Sequence, residues 1–311
     1  DLRMSNETLK AGLAKYTEEV EAKLVMKMAV IGCGLIGGSM ALSWKRAGIV
    51  DEVIAFGHNP ATLQKALDKG AADAVTTSME EAVKDADIVV SAVPVEAMES
   101  VFTEMAPFLK PDAVVTDVGS TRQTVIAAAR KGLGDKFHQY APAHPIAGGE
   151  MPGVDYASAD LFDEKVVIST PDEGMDPKVV AFMEDAWRKA GARVQTMSPH
   201  QHDLTFASVS HLPHVLAYAL VDMIAREENA QEKLKMAGAG FRDFTRIASS
   251  SPVMWRDICL SNREALSHEL KRYRTSLDTL QKYIDESDGK ALESVFENAV
   301  RNRRGLVFPG K

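Results

Sequence analysis

The chain has 311 residues, 45% of them hydrophobic and 26% charged, the composition of an ordinary folded protein with room for two domains. A formal net charge of −8 argues against a general polyanion-binding surface, so no nucleic-acid partner is expected and an anionic ligand must be met by local donors. Two cysteines, Cys33 and Cys259, supply neither a disulfide framework nor a metal cluster, which fits a reducing cytoplasm. No apolar run reads as long enough to span a bilayer, and no membrane partner is expected.

Residues 1–26 read as an N-terminal extension, with Leu9, Leu13, Tyr16, Val20 and Leu24 at helical spacing. The apolar run 27–31 then ends in Gly32-x-Gly34-x-x-Gly37 and passes into a helical pattern. This order is suited to a pyrophosphate. Gly32 allows the tight turn, Gly34 lets backbone approach the diphosphate, and Gly37 lets the helix lie close on the strand. Leu35 and Ile36 complete the turn, and the helix N-terminus favours the anion.

Further strands are predicted over 53–56, 72–75, 88–93, 113–116, 139–143, 166–169 and 193–196, and helices over 60–69, 79–85, 96–108, 122–131 and 177–190. The alternation predicts an α/β fold, a Rossmann-type doubly wound and mainly parallel sheet over 27–198, the last runs extending that sheet. Beyond His200 strand-like runs vanish, so 199–311 reads as an all-helical domain for substrate and dimerisation. There Leu266, Leu270, Tyr273, Leu277, Leu280 and Ile284 form a heptad seam, part of which we expect to close a homodimer.

In NAD-binding folds an acid at the end of the second strand takes the ribose hydroxyls. Here that place reads Gly57-His58-Asn59, two potential donors and no acid, which predicts NADP or dual NADP and NAD use. Val93 and Pro94 follow the fourth strand and would wall the nicotinamide. Polar residues after later strands carry the chemistry in such sheets. Ser120 is a candidate on those grounds and also a candidate helix N-cap; His144 stands at a strand end before Gly148-Gly149-Glu150. Four histidines, His200, His202, His211 and His214, suit a polar cleft better than a metal, since no framework of further ligands accompanies them. Arg242 and Arg246 lie one helical turn apart; Arg246 suits a carboxylate, and Arg242 a solvated ion pair.

Taken in order, the glycine turn, Asp117-Val118-Gly119-Ser120, His144-Pro145-Ile146-Ala147-Gly148, Ser210-His211-Leu212-Pro213-His214 and Phe241-Arg242-Asp243-Phe244-Thr245-Arg246 resemble the prephenate/arogenate (cyclohexadienyl) dehydrogenase family of tyrosine biosynthesis. The resemblance implies oxidative decarboxylation of prephenate or arogenate with hydride transfer to NAD or NADP. It implies His144 and Ser120 on the ring hydroxyl, Arg246 on a carboxylate, Ser210 and His214 lining the pocket, and Gly149 and Glu150 toward the side-chain end. Two alternatives are a β-hydroxyacid or 6-phosphogluconate-type dehydrogenase and a non-catalytic dinucleotide sensor. The first uses a lysine on its helical domain, and between Lys178 and Lys233 this chain has only Lys189. The second would not need His144, Ser120 and Arg246 together.

Overall fold

A computed structural model describes residues 10–11, 25–149 and 151–308, so most of the expected N-terminal helix and the candidate Glu150 lie outside the described residues. Six strands, β1 (Lys27–Ile31), β2 (Glu52–Phe56), β3 (Ala74–Thr76), β4 (Ile88–Ser91), β5 (Val114–Asp117) and β6 (Tyr140–Ala141), pair in parallel in the order β3-β2-β1-β4-β5-β6. The order reverses between β1 and β4. Ligands of such sheets enter the crevice beyond the carboxyl ends of these two strands, where the glycine turn begins.

Parallel strands covered on both faces must be apolar throughout, and β4 and the last four residues of β1 are fully buried. Alternate residues serve opposite layers. Met28 and Val30 pack with Met40 and Trp44 of α1 (Leu35–Arg46), whereas Ala29 and Ile31 join Met98, Phe102 and Met105 of α4 (Met98–Met105) and Val125 of α5 (Gln123–Leu133). Two shorter helices, α2 (Pro60–Asp68) and α3 (Met79–Val83), complete the early crossovers.

The later strands depart from expectation. The predicted run 139–143 breaks at Pro142, which has no N–H to give a ladder. Beyond it β7 (Ala143–Pro145) leaves the main sheet and pairs antiparallel with β8 (Val166–Ser169), which pairs parallel with β9 (Arg193–Thr196). These strands form a separate three-stranded sheet instead of extending the first. Phe162 and Trp187, the latter on α6 (Pro177–Lys189), join the two units, Trp187 standing edge-on to both Phe162 and Trp44.

From Pro199 onward the described chain is helical. A rod begins with α7 (Pro199–Phe206), passes through a π turn at Ala207–His211 and continues as α8 (Leu212–Ala225). The Leu212 N–H reaches the Ala207 carbonyl, the wide register of a π turn, just ahead of Pro213. Pro213 has no N–H for the ordinary helical bond and its ring crowds the preceding turn, so the widened turn falls where the α-ladder is already broken. The rod corrects one expectation: its 27 residues are long and apolar enough, by length and composition, to cross a bilayer. In the sequence this length is masked by His202, Asp203, His211 and His214, which interrupt the apolar pattern and are the residues the rod brings to the site. There follow α9 (Ala230–Lys235), α10 (Ala239–Thr245), α11 (Pro252–Ser261), α12 (Arg263–Asp285) and α13 (Gly289–Arg304).

Candidate active site

The glycine turn has the geometry of a phosphate cradle. Gly32 has φ of 90°, and a Cβ there would stand 2.9 Å from the Ala92 carbonyl oxygen, with Val93 packed beside it. A Cβ on Gly37 would come within 2.6 Å of the Gly32 carbonyl oxygen, so only glycine lets α1 lie this close. At Gly34 an added Cβ meets nothing within 4 Å. The turn is therefore open on one side, ahead of a twelve-residue helix whose N-terminus no side chain caps, which is what a pyrophosphate requires. Leu35 and Ile36 are half-buried in its first turn, and Pro94 is exposed beyond β4.

At the ribose end of such a site no carboxylate follows β2. His58 is exposed and sits edge-on to Phe56, while the Asn59 side-chain oxygen accepts from the N–H groups of Ala61 and Thr62 and caps α2. Cys33, inside the turn, is pushed up to about 11 by burial and stays a thiol at neutral pH.

His144 is held within β7, opposite Ile168, so a strand and not a loop aims its ring. It is buried, and its Nδ1 lies 2.7 Å from Nε2 of His202 on the rod. Nδ1 of His202 in turn lies 2.9 Å from the Asp203 carboxylate. Burial, then the neighbouring His202, Arg122 and His211, hold the pKa of His144 well below that of an ordinary histidine. The imidazole is therefore neutral at physiological pH.

Asp203 also answers the question of what caps α5. Ser120, the expected cap, is half-buried on the preceding loop and does not serve. The N–H groups of Arg122 and Gln123 donate to Asp203 at 2.9 and 3.0 Å instead. A carboxylate from another element does the work because the segment 117–122 is committed to a buried cluster. In it Arg122 pairs with Asp117, Tyr140 donates to Asp117 at 2.6 Å, and the Gly119 N–H donates to Asp117 at 2.8 Å. Burial raises Asp203, but His202 and the two backbone donors outweigh it and hold the carboxyl below its ordinary range.

The helical unit presents the remaining candidates. Ser210 is half-buried in the π turn, and its carbonyl oxygen lies 2.8 Å from His214 Nδ1. His214 stacks on Trp255, with ring centroids 3.4 Å apart. Burial lowers its pKa and the nearby Arg246 charge lowers it further, although its carbonyl partner opposes this. His211 is buried, bonded to Asn262, and pushed down to about 4 by burial. Arg246 opens a 3₁₀ turn (Arg246–Ser249) and is exposed; Arg242, on α10, pairs with Asp243. Gly149, exposed after β7, comes within 3.5 Å of the Leu35 side chain at its added Cβ, so the loop that follows His144 touches the glycine turn. His202 was expected only as one of four histidines suited to a polar cleft, and Asp203, Asp117 and Arg122 were not among the expected site residues. For His202 and Asp203 a further signal was an adjacent His-Asp pair just inside a capped helix.

A glycine cradle at the switch point of a parallel sheet, with a buried imidazole on β7 joined through His202 to a helical unit, fits the class of dinucleotide-dependent dehydrogenases. Comparison with known proteins narrows the class. The family model for the prephenate dehydrogenase nucleotide-binding domain matches residues 40–196, and that for the prephenate dehydrogenase dimerization domain matches 198–298. The chain is 36% identical to the cyclohexadienyl dehydrogenase of Zymomonas mobilis, over 90% of this chain and 95% of the relative. To the prephenate dehydrogenase of Bacillus subtilis it is 35% identical, over 90% and 76%. The solved prephenate dehydrogenase of Aquifex aeolicus, in complex with hydroxyphenyl propionate and NAD+, is 34% identical, superposes with a TM-score of 0.84, and covers 90% of this chain and 98% of its own. The chain belongs to the prephenate dehydrogenase family.

Proposed function

We propose that this chain oxidatively decarboxylates prephenate, arogenate or both, forming 4-hydroxyphenylpyruvate or tyrosine, with NADP+ or NAD+ as oxidant. The observation that carries the reading is His144: a buried imidazole on β7, joined to His202 of the helical unit, on the strand whose following loop passes beside Leu35 of the glycine turn. Gly32, Gly34 and Gly37, with Leu35 and Ile36, would hold the pyrophosphate, and Val93 and Pro94 would border the nicotinamide. When bound, the nicotinamide ring supplies the hydride acceptor. Loss of carbon dioxide makes the product ring aromatic, so the protein's task is to orient two ligands and accept one proton.

In this reading His144 accepts the proton of the ring hydroxyl, and Ser120 hydrogen-bonds the same oxygen and fixes its place. Arg246 binds a substrate carboxylate through parallel N–H bonds, Ser210 and His214 line the pocket, and Gly149 flanks the side-chain end. The missing acid after β2 supports use of NADP+ or of both dinucleotides. Residues 27–198 form the dinucleotide-binding domain and 199–311 the domain that completes the pocket and pairs two chains.

The test is turnover. Purified protein with prephenate or arogenate and each dinucleotide should form reduced nicotinamide, and failure of all four combinations would refute the reading. His144→Asn should lower kcat by about 10² to 10⁴ with dinucleotide affinity retained. Arg246→Ala should raise KM for the substrate roughly tenfold or more, and an unchanged KM would remove it from the pocket.

A further inference from the structure

We propose that His202 and Asp203 are positioning residues that lock His144 in the tautomer with Nε2 free, and that draw the proton's charge inward once it is taken. The proposal rests on the reading of His144 as proton acceptor.

The hydrogen-bond chain permits one polarity. Asp203 is a carboxylate and only accepts: Oδ1 takes the Arg122 N–H, and Oδ2 takes the backbone and side-chain N–H groups of Gln123, the latter at 3.2 Å. Its bond to His202 therefore requires the His202 proton on Nδ1. A neutral imidazole has one N–H, so His202 Nε2 is an acceptor. His144 Nδ1, 2.7 Å away, must then donate, which leaves Nε2 as the basic nitrogen of His144. The reverse polarity would set an imidazole lone pair against the carboxylate.

Packing holds the chain in place. Phe206 stacks on His202 at 4.4 Å between centroids and stands edge-on to His144 at 5.2 Å, covering both rings. Arg122 and His211 are the other groups that disfavour a cation on His144; Asp117, which also faces His202, is already matched by Arg122 and Tyr140. Asp203 is the nearby carboxylate still able to receive positive charge from this side.

The proton step balances without any change in electrons. The substrate O–H bond breaks as N–H forms at His144 Nε2. The Nδ1 proton of His144 then passes to His202 Nε2, and the resulting imidazolium lies against Asp203. The same carboxylate caps α5 behind the Ser120 loop, so one group orients the base and the loop that carries its partner.

The experiment combines tautomer and rate. With ¹⁵N-histidine-labelled protein and long-range ¹H–¹⁵N correlation, wild type should show His144 protonated at Nδ1 at neutral pH, without any ligand. His202→Gln and Asp203→Asn should lower kcat by about 10² to 10⁴, as expected when a base sits in the wrong tautomer, with KM and dinucleotide Kd moving less than about threefold. If Asp203→Asn fails to fold, His202→Gln, which leaves the cap of α5 intact, decides the matter. A wild-type proton on Nε2, or a folded variant with wild-type kcat, would overturn the proposal. Wild-type protein with no turnover would refute the proposed reaction, while the tautomer measurement would still decide the lock.

Discussion

Two glycines of the same turn have opposite roles, and single substitutions separate them. Gly34 has φ of −97° and free space where a Cβ would go, so Gly34→Ala should leave thermal stability within about 0.5 kcal/mol of wild type. It should nonetheless weaken dinucleotide binding, measured by calorimetric titration, because the methyl group occupies the phosphate's approach. Gly37→Ala should instead cost about 1–3 kcal/mol of folding stability, since the added atom meets a backbone oxygen at 2.6 Å. Denaturant unfolding of both variants checks the contrast. This turn was legible in the sequence because its three glycines fall at one short local spacing, even though the atoms that crowd Gly32 belong to Ala92 and Val93 beyond β4. His202 and Asp203 were not. Their partners stand 58 and 81 residues away, and the adjacent His-Asp pair does not say which strand and helix it will meet.

At the scale of elements, the rod formed by α7 and α8 is where acid should act first. Three of the four histidines with lowered pKa values, His202, His211 and His214, ride on it, and the fourth, His144, is what it docks against. Each is lowered mainly by burial, so below the ordinary value of 6.5 the unfolded chain takes up protons that the folded chain refuses. Stability is therefore full above that pH and declines as pH falls toward the folded values. For His211, with its pKa about 4, the loss reaches roughly 2 kcal/mol at pH 5. Asp203, whose pKa is lowered, adds its own loss only below its ordinary 3.8, outside this window. Denaturation midpoints at pH 7.5 and pH 5, with hydrogen exchange along 199–225, should show this loss and place it on the rod. A flat profile would mean that the imidazoles reach solvent. The rod's helical character was legible from its apolar spacing. The π turn was not, and neither was the departure of β7 from the sheet, because Pro142 marks a break without saying where the chain goes next.

For the whole molecule, the distribution of apolar surface divides the chain. Most large hydrophobic residues of the sheet unit are enclosed, Met151 and Tyr156 being more than half exposed, whereas Val209, Met223, Leu260, Ile284 and Phe296 of the helical unit are all more than half exposed. Along the heptad seam on α12, Leu266 is buried, Leu270, Tyr273 and Leu280 are half-buried, and Leu277 and Ile284 face outward. Pairing through this face should give twice the chain mass in light scattering at micromolar concentration, and a monomer would refute the proposed dimer. The seam was visible in the sequence as a pattern, but which part of it faces inward depends on helices brought beside it by the fold. All three tryptophans are buried, but in different surroundings. Trp44 and Trp187 are enclosed in the core of the sheet unit, while Trp255 lies flat on His214 where the substrate is proposed to bind. The chain thus carries its own optical probe, since Trp255 is the tryptophan placed beside the proposed pocket. Emission lost or shifted on adding a substrate analogue, and silent in Trp255→Phe, would report occupancy of the pocket without any label and without turnover.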